Sequence, residues 1–198
     1  MENKLIVDEF NILDFELHEN YKSVRIIDEK ANFPISWLNT QGYCEYSLYL
    51  EYCQGVSTAP TREMLEGTEG HSRLEEKFKE TAQPSTFEDA FELSKEEEIL
   101  SREMFVIDTE NGIRGFIDEV RMTPDKIIII DDKPGNRAYL STINQVRAYC
   151  LAFKNMVGND KRTIIAALRQ RGTDNIFWSE EFNESNEQNI RYTINFLH

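Results

Sequence analysis

Long apolar runs are missing from this sequence. No stretch approaches the ~20 consecutive apolar residues that cross a bilayer, so no membrane partner is expected. The opening segment, MENKLIVDEF, lacks the basic region followed by a long apolar one that directs secretion. Cysteine is scarce: Cys44, Cys53 and Cys150 are too few for a disulfide framework and cannot pair evenly. These absences point to a reducing, intracellular (cytoplasmic) setting. Repeats and low-complexity linkers are lacking too. Basic residues are in deficit, with 22 Lys and Arg against 36 Asp and Glu and a formal net charge of -14. A chain that acidic repels nucleic acid on average.

What is present is an ordinary globular composition, 40% hydrophobic and 11% aromatic. At 198 residues the chain suffices for one domain with a proper core and is short for two. A single domain over 1–198 is expected, with residues 1–32 as an N-terminal extension. The charge is unevenly spread. Lys133, Arg137, Arg147, Lys154, Lys161, Arg162, Arg169 and Arg171 fall in one segment whose only acid is Asp160. That segment can be a phosphate-facing patch or simply a solvated mixed surface.

Spacing gives the elements. In ISWLNTQGYCEYSLYLEYC, residues 35–53, Trp37, Tyr43, Tyr46, Leu50 and Cys53 recur at helical intervals, with Gly42 a candidate break. The spacing of Trp37, Tyr43, Tyr46 and Tyr49 favours core packing. The other reading is a stacking surface for unpaired bases. Residues 60–82 read as a second helix carrying Met64, Leu65, His71, Leu74 and Phe78. Residues 87–104 contain SKEEE, a capping box with Ser94 as N-cap and Glu97 three residues on. Three strands follow: MFVIDT, IRGFIDEVRM and KIIIIDDK, separated by the turns ENG and TPD. The β-branched run of the third predicts a buried central strand. Residues 140–156 read as an apolar helix, RTIIAAL as a strand and NIFWSEEF as an edge strand. A last helix starts near Ser185, where Gln188 completes a second capping box, and runs toward Leu197. The order implies an α/β fold with a mixed central sheet, a strand meander followed by a helix and further strands, flanked by helices.

The chemistry gathers where that buried strand ends in charge. Alternation puts Asp131 and Lys133 on one face and Asp132 on the other. An antiparallel pairing about Pro124 brings Asp118, on the preceding strand, to the same end of the sheet as Asp131. Two carboxylates that close repel unless a cation lies between them, and hard oxygen donors suit Mg²⁺ or Mn²⁺. Such an ion with a neighbouring lysine suits phosphodiester hydrolysis. D-x-K alone also fits two surface carboxylates with an incidental lysine. Glu119 and Asp132, on the opposite pleat, read as outward groups, and Glu103 as a further carboxylate able to support the site.

Taken in order, GTEGH (Gly67 to His71), GFID (Gly115 to Asp118), D-x-K (Asp131, Lys133) and QVRAY (Gln145 to Tyr149) resemble the RecB-type branch of the PD-(D/E)XK nuclease superfamily. Nearest within it are the single-domain CRISPR-associated exonucleases. The resemblance covers roughly residues 33–175 and implies a restriction-endonuclease-like fold and a metal-dependent deoxyribonuclease. The implied activity is an exonuclease preferring single-stranded DNA, in CRISPR adaptation or DNA repair, with proteins of those processes as partners. It further implies that His71, Asp118, Asp131 and the backbone carbonyl of Asp132 hold the metal. Gln145 and Tyr149 would position substrate or Lys133, while Arg137, Arg147 and Lys154 contact phosphates.

The chain departs from that branch in one respect. Its members commonly hold an iron–sulfur cluster on one early cysteine and three late ones. Here Cys44 stands in the early position, and no cysteine follows Cys150, which reads as a core residue. No cluster is therefore expected in this chain, whether the member lacks it or the segment bearing its ligands lies elsewhere. The competing function is a DNA- or protein-binding adaptor on the same fold that cleaves nothing.

Overall fold

The computed structural model describes residues 3–7, 14–21, 23–56 and 62–198; within 62–71, side chains are described for Glu69 and Gly70 alone. In chain order the elements begin with β1 (Asn3–Val7), β2 (Glu16–Leu17), β3 (Arg25–Ile27) and β4 (Lys30–Pro34). Then come α1 (Trp37–Leu48) with a π turn (Tyr49–Cys53), α2 (Arg62–Lys79), β5 (Gln83–Ser85) and α3 (Phe87–Leu93). The meander is β6 (Ile99–Asp108), β7 (Ile113–Met122) and β8 (Lys126–Lys133). It is followed by α4 (Leu140–Val157), β9 (Thr163–Gln170), β10 (Ile176–Glu181) and α5 (Glu184–Ile194).

The fold is α/β. Among the described residues, ten strands form one mixed sheet, with β10 at an edge as its sequence implied. Residues 3–7, from the segment expected as an extension, pair in parallel with β5 and β6. None of the described helices is long and apolar enough to cross a membrane. In β8, Ile127, Ile129 and Ile130 are essentially inaccessible, as a strand paired on both edges requires. Burying each contributes roughly 1.5–3 kcal/mol. Helix α4 lies on one face of the sheet, with Val146, Cys150, Leu151 and Phe153 in the core. Cys150 is thus the core residue its neighbours implied.

Several local expectations are corrected. Ser94 is not an N-cap: it ends α3, and its hydroxyl donates to the Phe91 carbonyl. Thr86 caps α3 instead, accepting from the Asp89 N–H, and the residues from Ile99 on are strand because β1 and β7 pair with them. The last helix is capped by Asn183 with Asn186, not by Ser185 with Gln188. The break in α1 falls at Cys44 (φ -164°, ψ 102°), not at Gly42.

Gly42 is instead where α1 meets α4. A Cβ there would lie 2.7 Å from Ser141 Cβ and 2.9 Å from its Cα. Gly42→Ala should therefore push the two helices apart and cost about 1–3 kcal/mol, measured by urea unfolding. An unchanged midpoint would show that the helices do not approach so closely.

Candidate active site

The site is made by a divergence of strands. β6 pairs with β7 from Ile99 to Asp108, interrupted at Glu103, occupying one edge. On the other edge β8 pairs with residues 119–122 and β4 with residues 113–114. No strand pairs with residues 115–118 on that edge among the described residues, which leaves a gap in the sheet beside the end of β8. One further step of the β7–β8 register would set Asp118 opposite Asp131, as the turn at Pro124 implied. Instead the Asp118 carboxylate reaches into the gap and its Oδ2 accepts the Asp132 N–H at 2.6 Å.

The structure brings five of the expected side chains together here. Asp118 and Asp131 are both buried and close enough to share a hydrogen bond. Lys133 Nζ lies 2.7 Å from Asp131 Oδ2 and donates to Gln145 Oε1 at 2.8 Å. Apart from the lysine, Asp131 Oδ2 has no hydrogen-bond partner among the described residues. Burial pushes the Asp131 carboxyl up to about 7; Lys133 opposes this, and the Asp118 charge adds to it. Tyr149 is held well above its ordinary value, first by burial and then by the charges of Asp131 and Asp118. Gln145 and Tyr149 face the site together because they lie four residues apart on α4.

Gly115 makes room for the tyrosine: a Cβ there would sit 2.9 Å from Tyr149 Cε1. Gly115→Ala should displace the ring and cost about 1–3 kcal/mol in urea unfolding. An alanine variant as stable as the parent would separate Tyr149 from this strand.

His71 lies on α2 with its side chain outside the described residues. Its neighbour Gly70 would present a Cβ 3.3 Å from Arg171 Cδ, so this turn of α2 passes beside Arg171. Arg171 Nη2 donates to the Asp132 carbonyl at 3.1 Å. That carbonyl, expected as a metal ligand, therefore already accepts one bond and has one lone pair left. Among the described residues no set of three His, Cys, Asp or Glu side chains is grouped to hold a metal ion.

Other expected residues stand elsewhere. Arg147 is two positions from Gln145, on the far side of α4, and forms a two-pronged ion pair with Glu180 of β10 at 2.6 and 3.0 Å. Lys154 pairs with Glu187 of α5 at 2.6 Å. Both tie α4 to its neighbours and do not reach the site. Arg137 is exposed, its guanidinium 5.1 Å from the Tyr139 ring. Trp37 is core, but Tyr43 is 90% exposed and Tyr46 64%, against the core packing their spacing favoured. Cys44 and Cys53 are exposed.

Glu119 and Asp132 are on the opposite pleat, as alternation requires, yet they are not outward groups. Both are buried in a network with Arg102 and Arg169 at 2.7–3.0 Å. Burial pushes the two carboxyls up, but the arginines outweigh it and hold both below the usual carboxylate range.

Two residues near the site were missed or barely signalled. Arg171 arrives through the parallel β8–β9 register, which sequence does not reveal. Glu103 lies between Arg102 and Met104, whose β7 partners Glu119 and Ile117 flank Asp118, and it has φ +51°, in a region that favours glycine. A bulky residue held there is a strained feature of the kind that gathers at functional sites. No protein-family model matches the chain, and no curated protein matches it.

Proposed function

We propose that this protein is a divalent-metal-dependent deoxyribonuclease, an exonuclease preferring single-stranded ends, acting in CRISPR adaptation or DNA repair. One observation carries the reading. Two buried carboxylates meet a lysine that a glutamine holds in place, at a gap in the sheet. A structural ion pair would need only one of those acids. The residues fit a hard cation: Asp118, Asp131 and the Asp132 carbonyl offer oxygen donors, and among the described residues Asp131 Oδ2 has no partner besides Lys133. Asp118, Asp131 and the Asp132 carbonyl, with His71, would hold Mg²⁺ or Mn²⁺. When bound, the ion supplies charge neutralisation and Lewis acidity.

The chain's own residues do the rest. Gln145 and Asp131 fix the Lys133 ammonium, which sets a point charge against a phosphoryl oxygen as negative charge builds there. Tyr149 stays protonated and offers a hydroxyl for positioning. Exposed Tyr43, Tyr46 and Tyr49 give unpaired bases ring faces to stack on, which supports the single-strand preference. Arg137 at the start of α4 supplies a phosphate contact.

The deciding experiment is digestion of 5'-labelled, 3'-labelled and circular single strands, with a duplex control, in Mg²⁺ or Mn²⁺. End-dependent loss of label that falls at least about 100-fold in Lys133→Ala is expected. Undiminished cleavage by that variant would remove the mechanism. A second reading, a binding adaptor, is favoured by one observation. Lys133 on Asp131 and Arg171 on the Asp132 carbonyl already satisfy much of the site. Calorimetric titration with Mn²⁺ separates the two: millimolar or tighter binding, lost in Asp118→Asn, supports the enzyme, and no heat supports the adaptor.

A further inference from the structure

On the sheet face away from Asp131 and Lys133 lies a cavity of about 340 Å³. Its floor is the β6, β7 and β9 strands, and Leu74 and Phe78 of α2 form a wall. Lys4, Lys77, Arg102, Arg121 and Arg169 line it, against the acids Glu119 and Asp174. Asp132, which bonds Arg102 and Arg169 from the adjacent strand, raises the acids to three. Five cations against three acids leave a net of +2, in a chain whose formal charge is -14. An acidic protein does not gather that surplus in one concavity by averaging its surface.

The hydrogen bonds show which donors remain. Arg169 spends its guanidinium on Glu119 and Asp132. Arg102 gives Nη1 to Glu119 and Nη2 to Asp132, but its Nε is buried with no hydrogen-bond partner among the described residues. Arg121 gives only Nε to Glu119, and its side chain is 32% exposed. Its two Nη groups have no partner among the described residues. Glu119 receives four N–H donors, its full complement, and Asp132 three. The acids organise the arginines and leave an open guanidinium fork beside Lys4 and Lys77.

From this geometry we infer that the cavity binds a dianionic phosphoryl group, either free phosphate or the terminal phosphate of a monoester. A guanidinium fork with ammonium groups beside it suits phosphate oxygens, and a surplus of two charges matches a dianion. The volume lies at the low end of small-ligand sites, room for phosphate and a small substituent. The inference does not rest on the nuclease reading, because the catalytic carboxylates and Lys133 project from the other face of β8.

The test is calorimetry in EDTA on the full chain with inorganic phosphate, phenyl phosphate and dimethyl phosphate. Phosphate should bind with a Kd of about 1 mM or tighter, and Arg121→Gln should weaken it about tenfold. Lys77→Gln, on the exposed side of α2, should weaken it severalfold and serves if the arginine variant does not fold. Asp131→Asn and Lys133→Gln should leave the Kd unchanged, so a failed nuclease assay would not bear on this site. Phosphate bound with phenyl phosphate excluded assigns the site to free phosphate; both bound assigns it to a monoester terminus. No phosphate heat at 10 mM (roughly ten times the expected Kd) overturns the inference. So does equal binding of dimethyl phosphate, or a loss that follows Lys133→Gln and spares both cavity variants.

Discussion

Asp131→Asn is expected to abolish cleavage and, in the same sample without metal, to stabilise the protein at pH 8. The loss of activity should be at least about 1,000-fold, since the carboxylate that would hold the cation and fix Lys133 is gone. The gain in stability follows from linkage. In the unfolded chain this carboxyl titrates near 3.8; in the fold, burial chiefly and the Asp118 charge secondarily raise it to about 7, against Lys133. Between those pH values the folded state holds a proton that the unfolded state has released. Stability from this group therefore falls as pH rises through that window and stays low above it. Asparagine carries no charge and escapes the cost, though Lys133 is left with Gln145 alone. The net should be a rise of roughly 5 °C in melting temperature at pH 8 in EDTA, shrinking toward zero by pH 5. Thermal melts of both proteins at the two pH values, with and without Mn²⁺, provide the check. A variant less stable than the parent at pH 8 in EDTA would show that the two carboxylates do not crowd one another.

Arg169→Met should be the most damaging single change to stability. Arg169 sends four hydrogen bonds to Glu119 and Asp132, both buried. Removing it strands negative charge away from water with too few donors, a defect that costs about 3–5 kcal/mol. For a domain of this size that lowers the melting temperature by roughly 10 °C. Lysine should recover little, because an ammonium cannot reproduce a planar fork spanning two carboxylates. Because Asp132 also gives its backbone N–H to Asp118, disturbing this network should loosen the face carrying Asp118 and Asp131 as well. A loss below about 1 kcal/mol in urea unfolding would mean that water reaches these acids and the network is not dry.

The meander, α4 and β9 were legible because each carries its own signal. Alternation and β-branching mark KIIIIDDK wherever it is placed, and apolar periodicity marks residues 140–156. Asp118, Asp131 and Lys133 were legible because a single tight turn relates the two strands, so counting outward from Pro124 sets the register. Gln145 and Tyr149 were singled out through a motif, and helical spacing explains why they lie on one face of α4. Strands β1 to β5 were not legible. They are short, and their backbones become strand only because β6 and β7 offer distant edges to pair with. Tyr43 and Tyr46 show the opposite failure. Helical spacing is the same for a core stripe and an exposed one, and the partner that decides between them is remote in sequence.

The sequence by itself determined which residues form the central strands, which end of the sheet carries the charge, and which pleat each carboxylate takes. Those are matters of local geometry, and alternation and turn length settle them. The tertiary structure alone decided that β7 and β8 part at Asp118, that Arg171 reaches the Asp132 carbonyl, and that Arg147 and Lys154 are spent on Glu180 and Glu187. It also decided that Glu119 and Asp132 turn inward against arginines instead of outward to water. A charge enters a core only when counter-charges converge on it from separate strands, and that convergence exists only once the chain has folded.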